Sequence, residues 1–411
     1  MIQIVKIIKD KDQVINDLKK RNIDFTKEIN TAYDKALKKR KLNQDLDKKR
    51  GEFNALNKKN RIEDRDRCLE IKEEVKNIED EIVLIDKEIL DILICIPNIP
   101  HNDVPNGKGY EENLIIKEKN YHNLEFDPVP HWEICNNKKI IDFDLGNKIT
   151  ERGFPVYIGD GAKMQRAIIN FCLEEAENFG FKEYGVPILV NKETVFRTGQ
   201  YPDKENQMYH IEKDDLYLIP TAEVPLTNVW RDEILNIQNL PILAAAYTPC
   251  FRREAGAHGK DNRGLNRLHQ FDKIELVCIT TQEDGYERLE IMRNYIEGLL
   301  DKLKLTYRVL ALCGGELGFG AAKAYDIEIW CPGQKKWVEV VTVTNFDTFQ
   351  ANRLNCKYID GKEKKLVHTL NGTGLALPRI IIGILETYQT KDGNITIPDC
   401  LLPWLKFKEI K

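Results

Sequence analysis

The 411-residue sequence predicts an α+β fold, an antiparallel sheet with flanking helices, preceded by an N-terminal two-helix antiparallel coiled-coil arm. Three observations carry this. First, Ile71, Val75, Ile78, Ile82, Ile85, Ile89 and Ile92 step by four and three residues in turn, a coiled-coil seam sustained for three heptads. Second, Ile96-Pro97-Asn98-Ile99-Pro100 and the following Pro105-Asn106-Gly107 cannot continue a helix and mark a domain linker. Third, the remainder holds short alternating apolar runs punctuated by Gly and Pro, which read as hairpin strands rather than βαβ units.

Composition narrows the function classes. Apolar residues make up 42% of the chain, enough for a sizeable core, and 411 residues imply two or three domains at about 150 residues each. Charged residues are dense at 31% but the net charge is only −4, so any nucleic-acid surface is a local patch. The ten cysteines include no Cys-x-x-Cys pair and do not cluster with the seven histidines; neither a disulfide framework nor a zinc site is expected. The apolar run at Met1-Ile2-Gln3-Ile4-Val5 is too short for a signal peptide, and no run approaches the ~18 apolar residues that span a membrane. The expectation is a soluble cytoplasmic protein with reduced thiols and no membrane partner.

Taken in order, residues 1–25 read as small packing elements. Residues 26–96 contain no proline and one glycine, Gly51. The first arm helix offers Ile29, Tyr33, Ala36, Leu46, Phe53 and Leu56 to the seam. A break near Asn57-Lys58-Lys59-Asn60 folds the chain back, giving an arm about 45 Å long at 1.5 Å per residue. Residues 26–61 carry 12 Lys and Arg against 5 Asp and Glu, and residues 62–92 carry 5 against 12. Opposite charges register antiparallel helices. Lys38-Lys39-Arg40-Lys41 and Lys48-Lys49-Arg50 exceed what pairing needs and suit a phosphate backbone.

Residues 108–150 read as loops and short elements, with His131 and Trp132 as packed structural residues. Residues 161–178 form an amphipathic helix that stops before Gly180. Residues 184–190 read as a strand whose Pro187 places it at an edge or interface. Leu216-Tyr217-Leu218-Ile219 is a strand ended by Pro220, just before Thr221-Ala222-Glu223. Two strands then flank a long loop, residues 256–264, in which Lys260 and Arg263 sit between glycines. Arg252 and Glu254, two residues apart on the first strand, share one face, fit respectively for an anion and for an amine such as that of adenine. Phe271 on the return strand offers a stacking surface. Residues 283–303 form a helix, residues 307–310 a strand, and two strands flank Pro332-Gly333 as a hairpin. Finally, Leu370-Asn371-Gly372-Thr373-Gly374-Leu375-Ala376-Leu377-Pro378-Arg379 precedes a helix at 380–385.

The string running from Thr221-Ala222-Glu223 through Pro249-Cys250-Phe251-Arg252-Arg253-Glu254-Ala255-Gly256 to Arg267-Leu268-His269-Gln270-Phe271-Asp272-Lys273-Ile274-Glu275 closely resembles the second signature motif of class II aminoacyl-tRNA synthetases, in the form found in seryl-tRNA synthetases. Ile-Pro-Asn-Ile-Pro after a coiled coil is similar to that family too. The 161–190 helix and strand resemble its first motif, a dimer interface, and the stretch ending at Arg379 resembles its third. The resemblance covers nearly the whole chain.

The resemblance implies a tRNA-binding domain at 1–104, with its arm at about 26–96, and a catalytic domain at 105–411. It implies ATP-dependent activation of L-serine and its transfer to tRNA(Ser), with a selenocysteine tRNA as a further candidate partner. It also implies a homodimer in which one subunit's arm grips the tRNA that the other charges. By position, Arg252 resembles the α-phosphate arginine, Glu254 the adenine-amine acceptor, Phe271 the stacking ring and Arg379 the arginine on the nucleotide's far side. Arg253 and the run Glu339-Val340-Val341-Thr342 belong to the implied ATP site, Glu339 and Thr342 as Mg²⁺ ligands. Thr221, Ala222, Glu223, Glu275, Asn371 and Thr373 form the implied serine pocket, and Lys38, Lys39, Arg40, Lys48, Lys49 and Arg50 the tRNA grip.

A pocket that hydrogen-bonds a hydroxyl rejects alanine because its own polar groups are left unpaired, while threonine is excluded by size. Two features depart from the family pattern. Val341 stands where Glu-(Ile/Val)-Ser-Ser has its first serine, and Thr344 where serine is common. Val341 favours one alternative, a synthetase-like paralogue that binds tRNA without charging it. A ligase that loads a carrier protein is disfavoured by the arm, which such relatives lack.

Overall fold

The heptad seam forms as two long helices, Thr26–Lys59 and Arg65–Leu93, preceded by two short ones, Ile4–Lys9 and Lys11–Leu18. The computed structural model describes residues 1–59, 62–121, 124–203, 206–254 and 263–411. The first long helix runs unbroken to Lys59, so of the expected break only Asn60 is left, and it lies outside the described residues. Ile71, Ile85 and Ile89 of the seam are buried, as are Ile29, Ala32, Ala36 and Leu46 of the first long helix. At 34 residues the longer helix spans about 50 Å.

The charge asymmetry of the two helices resolves into cross-arm ion pairs. Lys35 reaches Glu88 at 2.7 Å, Lys38 reaches Glu81 at 2.6 Å, Lys49 reaches Glu74 at 2.7 Å and Arg50 reaches Glu79 at 2.6 Å. Lys39 pairs with Asp86, and Lys48 with Asp45 of its own helix at 3.6 Å. Arg40 is exposed and has no carboxylate partner among the described residues. Exposed, salt-screened pairs of this kind contribute little to stability; they set register more.

The chain divides into two compact units, Met1–Pro100 and His101–Lys411. The second is built on an eight-stranded sheet in the order Leu114–Lys119, Tyr307–Ala311, Lys323–Cys331, Lys336–Asn345, His368–Ala376, Gln270–Thr280, Ile242–Phe251, Lys182–Glu183. Neighbours are antiparallel except the last pair. One face carries the main core. Met164, Ile168 and Phe171 come from helix Asp160–Phe179, and Leu289, Met292 and Ile296 from helix Gly285–Lys302. Ile380 and Ile384 come from helix Leu377–Thr387, and all pack on Ile274, Leu276, Val340 and Val343. The opposite face is only partly covered, by Leu226, Trp230, Leu354 and Tyr358 over Ala244, Ala246 and Val277. That leaves sheet surface free for a ligand.

Helix Asp160–Phe179 ends where expected, on Gly180 in the left-handed conformation at φ 109°. The expected strand at 184–190 does not form as one element. Lys182–Glu183 pairs on the main sheet, whereas Leu189–Asn191 pairs with Leu216–Leu218 in a separate three-stranded sheet. Pro187, with no N–H to give a ladder, lies between the two. The strand Leu114–Lys119, not anticipated, closes the other edge with Leu114, Ile115 and Ile116 exposed.

His131 is fully buried: its Nδ1 bonds Glu386 at 2.8 Å, and its Nε2 accepts from the Leu265 N–H at 3.0 Å. It ties the return leg of the signature hairpin to the last core helix.

Candidate active site

The two signature strands pair from Phe251 opposite Gln270 to Ile242 opposite Ile279. Period-two alternation places Phe271, Lys273 and Glu275 on one side of the strand, Lys273 and Glu275 turned from the main core and the half-buried Phe271 also packing against it. Their neighbours across the ladder are Cys250, Thr248 and Ala246, all small, so the ladder forms a trough. On the other flank, Thr373 stands directly opposite Glu275.

At the strand ends, the Arg252 guanidinium lies 5.3 Å from the Phe271 ring centroid, and its Nε donates to the Pro220 carbonyl at 3.4 Å. Glu254 adopts a left-handed backbone, φ 49°, and its carboxylate accepts from Arg267 at 2.8 Å. Arg253 is exposed, its backbone N–H tied to the Gln207 carbonyl at 2.7 Å. Of the loop cations, Lys260 lies outside the described residues; Arg263 stacks over the Trp132 ring at 4.7 Å.

The third cluster sits on the hairpin Lys323–Cys331 and Lys336–Asn345, whose register shifts by a bulge at Ile327/Glu328. The bulge makes two consecutive side chains, Val340 and Val341, point into the core, each 1% exposed. Only their backbone remains available to a ligand. Thr342 faces outward, its Oγ1 donating to Asp326 at 2.7 Å and lying 3.5 Å from Glu339 Oε1. Arg379 donates to the Glu339 carbonyl at 2.6 Å and stands 3.5 Å from its carboxylate. Burial, with Glu339's charge added, pushes the Asp326 carboxyl well above the usual carboxylate range.

The fourth cluster is the pocket floor. Glu275, fully buried, accepts from Thr221 Oγ1 at 2.9 Å and pairs with Lys273. Asn371 Nδ2 donates to Glu275 at 3.0 Å and to Glu223 at 2.8 Å. Thr221 Oγ1 also accepts the Glu223 backbone N–H at 3.2 Å, and buried Ala222 lies between them. Burial, and then repulsion from Glu275, push the Glu223 carboxyl from 4.5 up to about 7.

The structure thus gathers the sequence-derived residues into two neighbouring groups: Arg252 with Phe271 and Glu254, and Thr221, Glu223, Glu275, Asn371 and Thr373 along the same trough. Glu339 and Thr342 on the hairpin, with Arg379 reaching them from helix Leu377–Thr387, form a third group. Three residues escaped the sequence reading: Asp326, Lys273 and Gln350. Asp326 was findable as an acidic residue in the apolar strand Tyr325-Asp326-Ile327, set opposite Thr342 by the Pro332-Gly333 turn. Gln350 sits in a short helix with no local signal.

Residues 207–388 match the family model for the tRNA synthetase class II core domain (G, H, P, S and T). A serine–tRNA ligase from Chlorobium luteolum is 46% identical over 82% of this chain and 80% of its own length. One from Nautilia profundicola is 43% identical over 98% of this chain and all of its own. The crystal structure of seryl-tRNA synthetase from Pyrococcus horikoshii complexed with ATP superposes with a TM-score of 0.94 at 32% identity, covering 100% of this chain and 99% of that one.

Two outcomes follow from the geometry. Val341→Ser places an unpaired hydroxyl in the core, so urea unfolding should show a loss of about 1–3 kcal/mol, with no gain in activity. Glu223, raised when folded, contributes stability that is fully present below about pH 4.5 and lost as pH rises through about 7. Unfolding titrations of Glu223→Gln should lack that component of the pH dependence.

Proposed function

The chain belongs to the seryl-tRNA synthetase family of class II aminoacyl-tRNA synthetases, and from that premise we propose how its residues divide the work. The protein is an aminoacyl-tRNA ligase that activates L-serine with ATP and transfers it to tRNA. In the first step a serine carboxylate oxygen bonds the α-phosphorus of ATP as the bond to pyrophosphate breaks. In the second, a terminal ribose hydroxyl bonds the acyl carbon and AMP leaves. Neither step needs a protein nucleophile; both need position and charge neutralisation.

Arg252 forks onto the α-phosphate, where negative charge grows, and Phe271 stacks on the adenine while Glu254 accepts its amine. Arg379 approaches from the opposite side. Four residues beyond Phe271, about 13 Å along the strand, Glu275 holds the serine ammonium. Thr221, Glu223, Asn371 and Thr373 complete the pocket and Ala222 lines its wall. The observation that carries this reading is the trough itself, in which the Phe271 ring and the buried Glu275 carboxylate lie along one strand and the Arg252 guanidinium stands beside the ring, just past the end of the facing strand.

Glu339 and Thr342, joined by Asp326, supply two carboxylates and a hydroxyl, the hard oxygen donors that suit Mg²⁺. These residues would hold the ion, which when bound neutralises phosphate charge. Arg253 and the backbone of Val340 and Val341 are assigned further contacts to the nucleotide. With the Val341 side chain inside the core, a missing hydroxyl there removes nothing from the site, and the one feature that favoured a non-charging paralogue loses its force.

Residues 1–104 act as the tRNA(Ser)-binding domain and 105–411 as the catalytic one, the arm supplying Arg40 and the flanking Lys38, Lys39, Lys48, Lys49 and Arg50. Exchange of carboxylate partners for phosphate is open to the paired cations because their pairs are exposed. A homodimer is supported by the exposed apolar edge strand Leu114–Lys119. No described helix is long and apolar enough to cross a membrane, in keeping with a cytoplasmic enzyme.

Removal of residues 34–86 separates the two halves of the reaction. Serine-dependent exchange of pyrophosphate into ATP should persist while serylation of tRNA falls below detection; intact serylation would overturn the role given to the arm.

A further inference from the structure

Gln350 lies in the short helix Phe349–Leu354, 1% exposed, behind the pocket floor. Its amide makes three bonds. Oε1 accepts from Thr369 Oγ1 at 2.8 Å, while Nε2 donates to the Thr198 carbonyl at 3.2 Å and to Glu223 Oε1 at 2.6 Å. Only one orientation satisfies all three, since a flipped amide would set its oxygen against a carbonyl and a carboxylate. Glu223 is therefore fixed through Oε1, and its Oε2 accepts from Asn371 Nδ2 at 2.8 Å. The same nitrogen bonds Glu275, so the Asn371 amide is also fixed, and its Oδ1 is buried with no protein partner.

We propose that Gln350 is a positioning residue for serine recognition: by fixing Glu223 it locks the Asn371 amide so that its oxygen is presented to the ammonium or hydroxyl of serine. This rests on the serine-activating reading given above. An acceptor at Asn371 Oδ1 completes a pocket whose other acceptors are carboxylates already engaged. A lone buried carbonyl oxygen is costly until a donor arrives, which favours a ligand rich in N–H and O–H groups.

The relay also has an ionic side. The groups facing Glu223 are Gln350 from the short helix, Asn371 from the neighbouring strand, Glu275 and Lys273 from the signature strand, and Arg252 at its end. Burial and Glu275 favour the protonated acid; the Gln350 bond, Lys273 and Arg252 favour the carboxylate. Without Gln350, Glu223 holds its proton to higher pH. A protonated Glu223 turned toward Asn371 meets a nitrogen that cannot accept, and the amide is driven to flip, turning its NH₂ toward the substrate ammonium.

The test measures pyrophosphate exchange by the full-length protein and by Gln350→Met, close in length but without the amide, as a function of serine, ATP and pH. The expected result is a KM for serine raised about tenfold, as for the loss of one charge-assisted hydrogen bond, with the KM for ATP unchanged. The acid limb of kcat/KM for serine should move to higher pH. Thr369→Val, which frees only the far side of the Gln350 amide, should shift both in the same direction by less, and it carries the test if Gln350→Met does not fold. A fall in melting temperature with the serine KM and the pH limb unmoved would overturn the proposal, as would equal rises in both KM values. Absence of serine-dependent exchange in the unsubstituted protein overturns the serine reading and this inference with it, and is recognised before any substitution is made.

Discussion

Two carboxyl groups, Glu223 and Glu275, lie buried on either side of one asparagine amide, and the substrate end of the catalytic unit is arranged around keeping them there. A buried carboxylate without partners is destabilising by several kcal/mol. Here Lys273 and Thr221 satisfy Glu275, Gln350 satisfies Glu223, and Asn371 serves both. The strands must be close and well registered for these contacts, which the main core on the opposite face enforces. Alanines and a threonine on the adjoining strand leave room above them. One lysine, Lys273, pairs with Glu275, and burial together with the Glu275 charge raises the Glu223 carboxyl to about 7.

Bulges decide which side chains face the core. At Ile327/Glu328 the shift sends both Val340 and Val341 into the core and leaves Glu339 and Thr342 outside. A second shift at Ile274/Glu275 sets Glu275 opposite Thr373. Strict alternation along residues 339–342 would have turned Val341 outward and Thr342 into the core. A serine-to-valine difference at position 341 is therefore a core difference, and Thr342 keeps its hydroxyl outside the core, on Asp326.

Much of this was legible in the sequence. The arm was visible because a four-three step of isoleucines admits few other structures, and the hairpin because Arg252, Glu254, Phe271 and Glu275 fall within one resembled string. What escaped depends on contacts between segments distant along the chain. Gln350 meets Thr198, Glu223 and Thr369 from three separate elements. Asp326 gains its role only when the hairpin sets it opposite Thr342. The run at 184–190 looked like one strand because its apolar content was read without weighing how fully Pro187 divides it. The arm's surplus cations looked free for phosphate, yet Lys38, Lys39, Lys49 and Arg50 each meet an acid of the facing helix; their availability is a matter of exchange between partners.

The most direct test is amino-acid-dependent exchange of labelled pyrophosphate into ATP, with serine compared against alanine, glycine, cysteine and threonine. A floor built from buried hydrogen-bonding groups predicts exchange with serine and strong rejection of alanine, whose missing hydroxyl leaves those groups unpaired. Exchange with alanine as efficient as with serine would contradict the account, because it would mean that Glu275, Asn371 and their partners do not read the hydroxyl at all.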